Sequence, residues 1–484
     1  MVSALCRIFL QDGYRVCPFK AQNMALNSFV TGEAGEIGRA QAVQALACRI
    51  EPTVDMNPIL IKPVTDIGAQ VIVRGKAVGN MNARNYTGYK TKLLPVVRKS
   101  FDKLSKKYGV VVIEGAGSPA EINLKSHDIV NIKMAQYAKA PVILVGDIDK
   151  GGVFASLVGT LELLTKKERA MIKGFIINKF RGDKSLLDPG LDFLEKRTGI
   201  KVLGVIPYFR NILIPEEDAV PLNNFTGRNP AGKQHKLNID VIYLPHISNF
   251  TDFDALGAEA DVELRYVKIP EEINRPDIII IPGTKSTVSD LTYLKKSGFA
   301  KKILSVINSK RPAVLMGICG GYQMLGEVIY DKHSIESDCK EIEGLGFLPI
   351  RTHLRAEKEL SRVKARDLSS GVELSGYKIH HGFTKIGNGC QPLFEVFQRN
   401  DRKTKYFDGV TGNDGRILGT YIHGLFDAGA FRRYFLNRVR LKKGWPVLSQ
   451  ASAFNPDTEI DKLAKFVREN IDTVYLYKIL KKEV

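Results

Sequence analysis

Short, wholly apolar runs recur along this chain, each about five residues long and followed by a longer helical stretch. GYRVCPF, GVVVIEG, PVILVGD, GFIINKF and KVLGVIP mark the first series. A strand buried on both faces has no reason to alternate polar with apolar residues. Continuous runs alternating with helices therefore predict a parallel sheet covered on both sides. A second series follows from residue 238: IDVIYLP, DIIIIPG, AVLMGIC and ILGTYIHG. Between the two, PLNNFTGRNPAGKQHKL (221–237) loses periodicity and gathers Pro, Gly and Asn, as linkers do. The reading is α/β throughout: a first domain over 1–220, the linker 221–237, and a second α/β domain over 238–435. A charged helical extension over 436–484 is expected to pack on the second domain or trail from it.

Composition limits the function classes. At 484 residues the chain exceeds what one hydrophobic core supports, and 44% hydrophobic with 25% charged residues is ordinary for a globular protein. No apolar run approaches the roughly 18 residues that span a bilayer. The opening MVSALCRIFLQDGYR does not read as a signal peptide, so the cytoplasm is the expected placement. Cys6, Cys17, Cys48, Cys319, Cys339 and Cys390 form no C-x-x-C pair, which argues against a disulfide framework and a zinc site. The net charge is +19, and its densest stretch, RRYFLNRVRLKKGW (432–445), has six basic and no acidic residues. With no nucleic-acid motif beside it and only 8% aromatics, the expectation is a solvated basic face, not a nucleic-acid site.

RPAVLMGICGGYQMLG carries the sharpest local signal. A buried strand runs into Cys319, flanked by Gly317, Gly320 and Gly321, and a helix (GYQMLGEVI) is expected to follow. Small neighbours permit the tight turn that lifts a nucleophile above a sheet edge and leave N–H groups for an oxyanion. The best base is His423, where the strand GRILGTYIHG ends. Gly283, just past the strand DIIIIPG, and Gly320 are placed to form the oxyanion hole. The adjacent His380 and His381 read first as satisfied structural histidines.

On GICGGYQMLG, PGTKST and GTYIHGLF, the second domain resembles class I glutamine amidotransferases. The resemblance implies that Cys319 attacks the glutamine amide, forms a glutamyl thioester and releases ammonia. The usual H-P-E is His423-Gly424-Leu425 here, so the glutamate that orients the histidine is missing, and a Cys–His pair is expected.

The first domain resembles dethiobiotin synthetase and its relatives, which activate carboxyl groups with ATP on a doubly wound parallel sheet. That resemblance implies roles for residues at strand ends. Lys20, in VCPFKAQNM, would contact phosphates and the reacting carboxylate. Glu114, in VVVIEGAG, would bind magnesium, with Glu36 in GEIGRAQ as a second ligand. Asn178 in IINKF matches the adenine-reading position, and Asp147 and Asp149 in VGDIDKGG would reach substrate or magnesium. PFKAQNMALNSFVT, EGAGSPAEINL and DIDKGGVFASLVGTL look like the cobyric acid synthase branch. It implies ATP- and glutamine-dependent amidation of the b, d, e and g carboxylates of adenosylcobyrinic acid a,c-diamide. ATP, Mg2+, glutamine and the corrinoid would be the small-molecule partners. No tightly bound cofactor is implied, and the cobalt belongs to the substrate.

The resemblance is incomplete at one point. No G-x-x-x-x-G-K-[ST] phosphate loop occurs, and Gly75-Lys76 and Gly232-Lys233 are followed by Ala and Gln. The opening residues match the first helix of the superfamily, so a late-assigned start or a truncated gene is expected, with ATP use by these residues in doubt. Three other readings stay open: a corrinoid-binding pseudoenzyme, a stand-alone glutaminase, and amidation of another carboxylate.

Overall fold

The computed structural model describes residues 1–63, 68–209, 212–215, 235–412, 415–449, 451 and 454–484. Most of the expected linker, and Gly232-Lys233 with it, lies outside them. The five apolar runs of the first domain become the strands Val16–Phe19, Val110–Ile113, Val142–Asp147, Ile172–Phe180 and Val202–Pro207. All pair in parallel, as their unbroken apolar character predicts, but they form two sheets instead of one. Val16–Phe19 pairs with Val110–Ile113, while Ile172–Phe180 lies between Val142–Asp147 and Val202–Pro207. Among the described residues no strand bridges Val110–Ile113 and Val142–Asp147. A groove of 580 Å³ separates them, lined also by Leu5 and Phe9 of the first helix (Val2–Gln11) and by Leu476 and Ile479 near the C-terminus.

Two smaller pieces of this domain left no periodic signal in the sequence. One is a mixed sheet of Gln22–Met24, Ile59–Pro63, Gly68–Val73 and Lys76–Asn82. Gly75, at φ +79°, turns the hairpin between its last two strands, so Gly75-Lys76 is a turn and no phosphate loop. The other is the hairpin Ser28–Val30/Glu36–Gly38, which leads directly into the helix Arg39–Ala47.

The second domain has one continuous sheet. Its parallel half runs Val262–Val267, Leu237–Ile242, Ile278–Ile281, Val314–Ile318, Ile417–Thr420. An antiparallel half with the long strands Ile350–Asp367 and Glu373–Ile386 continues it. The helix after Cys319 is shorter than expected. It covers only Gly320–Met324, because Gly326 is pressed against the Ile350 carbonyl and Val328–Tyr330 joins the sheet beside Arg351–His353.

The C-terminal expectation needs two corrections. The helix Gly429–Lys442 crosses the expected boundary at 435 and buries Phe431, Phe435, Leu436 and Val439 in the second core. The helices Pro456–Arg468 and Thr473–Lys481 instead return to the first domain. Ile460, Ala464, Val467, Leu476 and Ile479 share a core with Ala4, Leu5 and Ile8, and the buried Arg7 binds Asp457 and Asp461. The basic stretch is corrected as well. Arg432, Arg433 and Arg440 are buried, pairing with Glu259 and Asp261, so much of its charge is internal structure. No helix among the described residues is long and apolar enough to cross a membrane.

Candidate active site

Cys319 stands at the carboxyl end of the strand Val314–Ile318 with φ +55° and ψ −109°. A side chain rarely adopts this backbone, and its presence between strand and helix marks a position held by its surroundings. The flanking glycines are required by packing. A Cβ on Gly321 would lie 1.9 Å from the Ile281 carbonyl oxygen, and one on Gly317 2.6 Å from that of Gly321. A Cβ on Gly283 would stand 3.0 Å from His423 Cε1 and 3.7 Å from Cys319 Cβ. Gly283 therefore sits against both Cys319 and His423.

His423 follows the strand Ile417–Thr420 that pairs with the strand leading to Cys319, so neighbouring strand ends bring the two residues together. The carboxylate missing from His423-Gly424-Leu425 is supplied elsewhere. Asp252 Oδ2 lies 2.6 Å from His423 Nδ1, and Asp252 Oδ1 accepts the Gly424 N–H at 3.0 Å. Both residues are buried, at 1% and 3% exposure. Burial alone would depress the imidazole pKa. Asp252 and then Cys319 outweigh it and raise His423 to about 10. With Nδ1 committed to Asp252, Nε2 is the ring nitrogen left for Cys319 and the reacting groups. The expected Cys–His pair is thus a Cys–His–Asp set with its acid drawn from the short 3-10 helix Phe250–Phe253.

Sequence reasoning missed Asp252. The available signal was ISNFTDFDAL, in which two aspartates sit among apolar residues. The reading of His380 and His381 as satisfied histidines holds only in part: each Nδ1 meets a carbonyl, of Gly382 and Arg355, but each buried Nε2 has no partner among the described residues. His380 stacks on Tyr421 at 3.7 Å and is held neutral by burial, then by Lys378. His381 is lowered to about 4 by burial, then by Lys358 and Lys285.

In the first domain, Lys20 and Glu114 follow the paired strands Val16–Phe19 and Val110–Ile113 and meet at 2.8 Å. Gln44, from the helix Arg39–Ala47, donates to the other carboxylate oxygen of Glu114. Asn178 and Asp147 are register partners on the far side of the groove. Asp147 pairs with Lys179 at 2.9 Å and Asp149 with Arg181 at 2.7 Å. The structure therefore brings Lys20 to Glu114 but joins neither to Asp147, Asp149 or Asn178.

Glu36 contradicts its expected magnesium role. It is 1% exposed, and its two oxygens accept from Lys62 at 2.9 Å and Lys358 at 2.6 Å. Burial opposes its charge, but Lys358 and Lys62 hold the carboxyl well below the usual range. A dication would have to displace the buried Lys62 ammonium and the half-buried one of Lys358. Glu36 is instead a clamp between the domains, since Lys358 belongs to the second.

Residues 1–222 match the family model described as a CobQ/CobB/MinD/ParA nucleotide binding domain. Residues 238–431 match that of a CobB/CobQ-like glutamine amidotransferase domain. Over 488 aligned residues the chain is 51% identical to a cobyric acid synthase of Dehalococcoides mccartyi strain CBDB1, covering 99% of this chain and 95% of the relative. The cobyric acid synthase of Clostridium botulinum strain Loch Maree is 49% identical over 483 residues, covering 99% and 96%.

The chain belongs to the cobyric acid synthase family.

As a cobyric acid synthase it is a glutamine-hydrolysing amide ligase built from a nucleotide-binding and an amidotransferase domain. The Cys319–His423–Asp252 set suits the first half of that chemistry. A thiol beside an imidazole that is itself oriented by a carboxylate is the arrangement of an activated nucleophile.

Proposed function

We propose that this chain uses ATP and glutamine to amidate the b, d, e and g carboxylates of adenosylcobyrinic acid a,c-diamide, giving adenosylcobyric acid. The observation that carries this reading is a Cys–His–Asp set in one domain joined to a strand-end lysine–carboxylate pair in the other.

Cys319 Sγ, as thiolate, attacks the carboxamide carbon of glutamine. The negative charge that develops on oxygen falls beside Gly283 and the N–H of Gly320, at the start of the helix that follows the thiol. The His423 imidazolium gives its Nε2 proton to the leaving nitrogen, and ammonia departs from a glutamyl thioester. Water then attacks the thioester as Nε2 takes a proton from it, releasing glutamate and restoring the thiolate. Asp252 fixes the ring and keeps Nδ1 protonated throughout. The ammonia goes on to attack an activated corrinoid carboxyl, so each cycle converts one carboxylate into one amide.

On the other side, Lys20 would neutralise phosphate and carboxylate charge during activation. Glu114 offers a hard oxygen donor at a strand end, which fits Mg2+ held jointly with phosphates. Bound there, the ion would neutralise charge on the transferring phosphoryl group. A pocket of 320 Å³ lined by Arg181, Val205, Pro207 and Tyr208 lies beyond Asn178 on the same sheet and suits a flat heterocycle. Arg181 stands 3.5 Å over the Tyr208 ring there. The cytoplasmic placement belongs to the same proposal.

The test follows three products separately: glutamate, ADP and the successive mass increments of the corrinoid, with glutamine, magnesium ATP and the diamide supplied. All three are expected with glutamine, and Cys319→Ser should abolish glutamate release. Glutamate release surviving in that variant would overturn the nucleophile assignment. Glutamate without corrinoid mass increments would overturn the ligase half.

A further inference from the structure

We infer that the hairpin Ser28–Val30/Glu36–Gly38 of the nucleotide-binding domain is a positioning element of the glutaminase site, acting on His423 through Asn249 and Tyr377. This rests on the proposed glutamine chemistry and adds a cross-domain dependence to it.

The contacts form a continuous chain. The Ser28 N–H donates to Asn249 Oδ1 at 3.1 Å. Asn249, at φ +53°, also receives the Asp252 N–H on its backbone oxygen at 3.0 Å and gives its own Nδ2–H to the Tyr377 hydroxyl at 3.2 Å. Tyr377 lies on the face of the His423 ring, 5.3 Å between centroids and 17° from parallel. The backbones of Tyr377 and His423 exchange hydrogen bonds at 2.9 and 3.1 Å. Phe29 packs on the other partner, 5.3 Å from the Tyr377 ring, and Val30 shares a buried cluster with Tyr377 and Ile379. The Ile379 carbonyl in turn accepts from the Cys319 thiol at 3.4 Å.

One side-chain amide therefore ties together the short helix that carries Asp252 and the ring that covers His423, and its acceptor is filled from the other domain. The charged and titratable groups around the pair are Asp252, Cys319 and Tyr377 at His423, with His380 nearby. Arg39 comes from the hairpin side, its field reaching Tyr377, Asp427, Asp252 and Asp254.

The same segment reaches the other centre. The hairpin ends at Gly38, the helix Arg39–Ala47 begins at once, and its Gln44 holds Glu114, the partner of Lys20. Residues 28–47 thus touch both halves of the enzyme. Glu36 fastens them to the second domain through Lys358. Glutamine hydrolysis consequently depends on docking of the nucleotide-binding domain, which restrains ammonia release when that domain is displaced.

The test uses the full chain with Asn249→Gly, Asn249→Asp, Phe29→Ala and an exposed interdomain control, Glu51→Gln. Glycine tolerates the positive φ while removing the amide. Asn249→Gly and Phe29→Ala should each lower kcat for glutamate release about tenfold or more, with KM within about twofold. The alkaline limb of kcat/KM should fall below its wild-type position, since the Tyr377 ring no longer fixes His423 against Asp252. Asn249→Asp keeps the acceptor for Ser28 and should recover most of the rate. Glu51→Gln, in a surface pair with Arg362, should stay within about twofold. Should Asn249→Gly fail to fold, Phe29→Ala decides the matter. A second readout is independent of turnover: the rate at which iodoacetamide alkylates Cys319 against pH, read on its own peptide. Should wild type release no glutamate, the proposed function fails, and the alkylation profile still reports the hairpin. Unchanged rates and unchanged profiles in both variants would overturn the inference.

Discussion

The two domains hold their chemistry in different ways. In the second, Cys319 and His423 follow adjacent parallel strands of one sheet, and Asp252 reaches them from the 3-10 helix Phe250–Phe253 packed on the same core. In the first, Lys20 and Glu114 end a two-stranded sheet while Asp147 and Asn178 belong to a separate three-stranded one, with a groove between. A site on one continuous sheet inherits its geometry from ladder hydrogen bonds. A site spread over two sheets depends on what else fastens them, here the helix carrying Gln44 and the C-terminal helices packed on the first core. The glutaminase half should therefore respond to single side chains in the reacting set, and the nucleotide half to residues that hold its parts together.

The largest effect expected from that contrast is Cys319→Ser, which should lower glutamine hydrolysis by about four orders of magnitude or more. Binding of magnesium ATP by calorimetry should be unaffected. Any loss of nucleotide binding would show the two sites to be less separate than described. Next is Asp252→Asn, expected to cost about 10² to 10⁴ in kcat, because an oriented imidazolium loses its partner. Glu36→Gln tests the joint between domains. Removing one member of a buried ion set is worth about 3–5 kcal/mol, measurable as a lower denaturation midpoint. Glu36 has its pKa lowered in the folded state, so its stabilisation is present at neutral pH and is lost progressively as pH falls below the ordinary carboxylate value. Acid stability of wild type should fall there, and the variant should lack that segment of the curve. The smallest effect is Lys20→Met, which should weaken magnesium ATP binding about tenfold and leave glutamate release within about twofold. A large loss of glutaminase activity in that variant would favour tighter coupling along residues 28–47 than the contacts suggest.

Much of the architecture was legible because it follows from burial. Each continuous apolar run became a parallel strand, and the glycines around Cys319 announced an elbow that the packing then required. Lys20 and Glu114 were readable as strand-end residues, and the structure joined them. What escaped the sequence was set by tertiary contact. Asp252 lies far from His423 in the chain, and no local period could pair them. Glu36 was expected as a ligand only through the family resemblance, yet two lysines from distant strands occupy it. The basic stretch 432–445 read as solvated because its acidic partners, Glu259 and Asp261, lie in another part of the domain. The C-terminal helices have amphipathic faces, but nothing in their own sequence says which core those faces cover.

The central claim is that Asp252 completes the glutaminase set in place of the glutamate missing after His423. The most direct measurement is the pH dependence of kcat/KM for glutamate release, wild type beside Asp252→Asn. With His423 raised to about 10, wild type should keep its alkaline limb near that value, because the imidazolium that protonates the leaving nitrogen persists to there. Loss of the Asp252 charge removes the largest cause of the rise, and the limb should move down towards about 6.5, the ordinary histidine value. An Asp252→Asn enzyme with the wild-type rate and an unmoved alkaline limb would contradict the account.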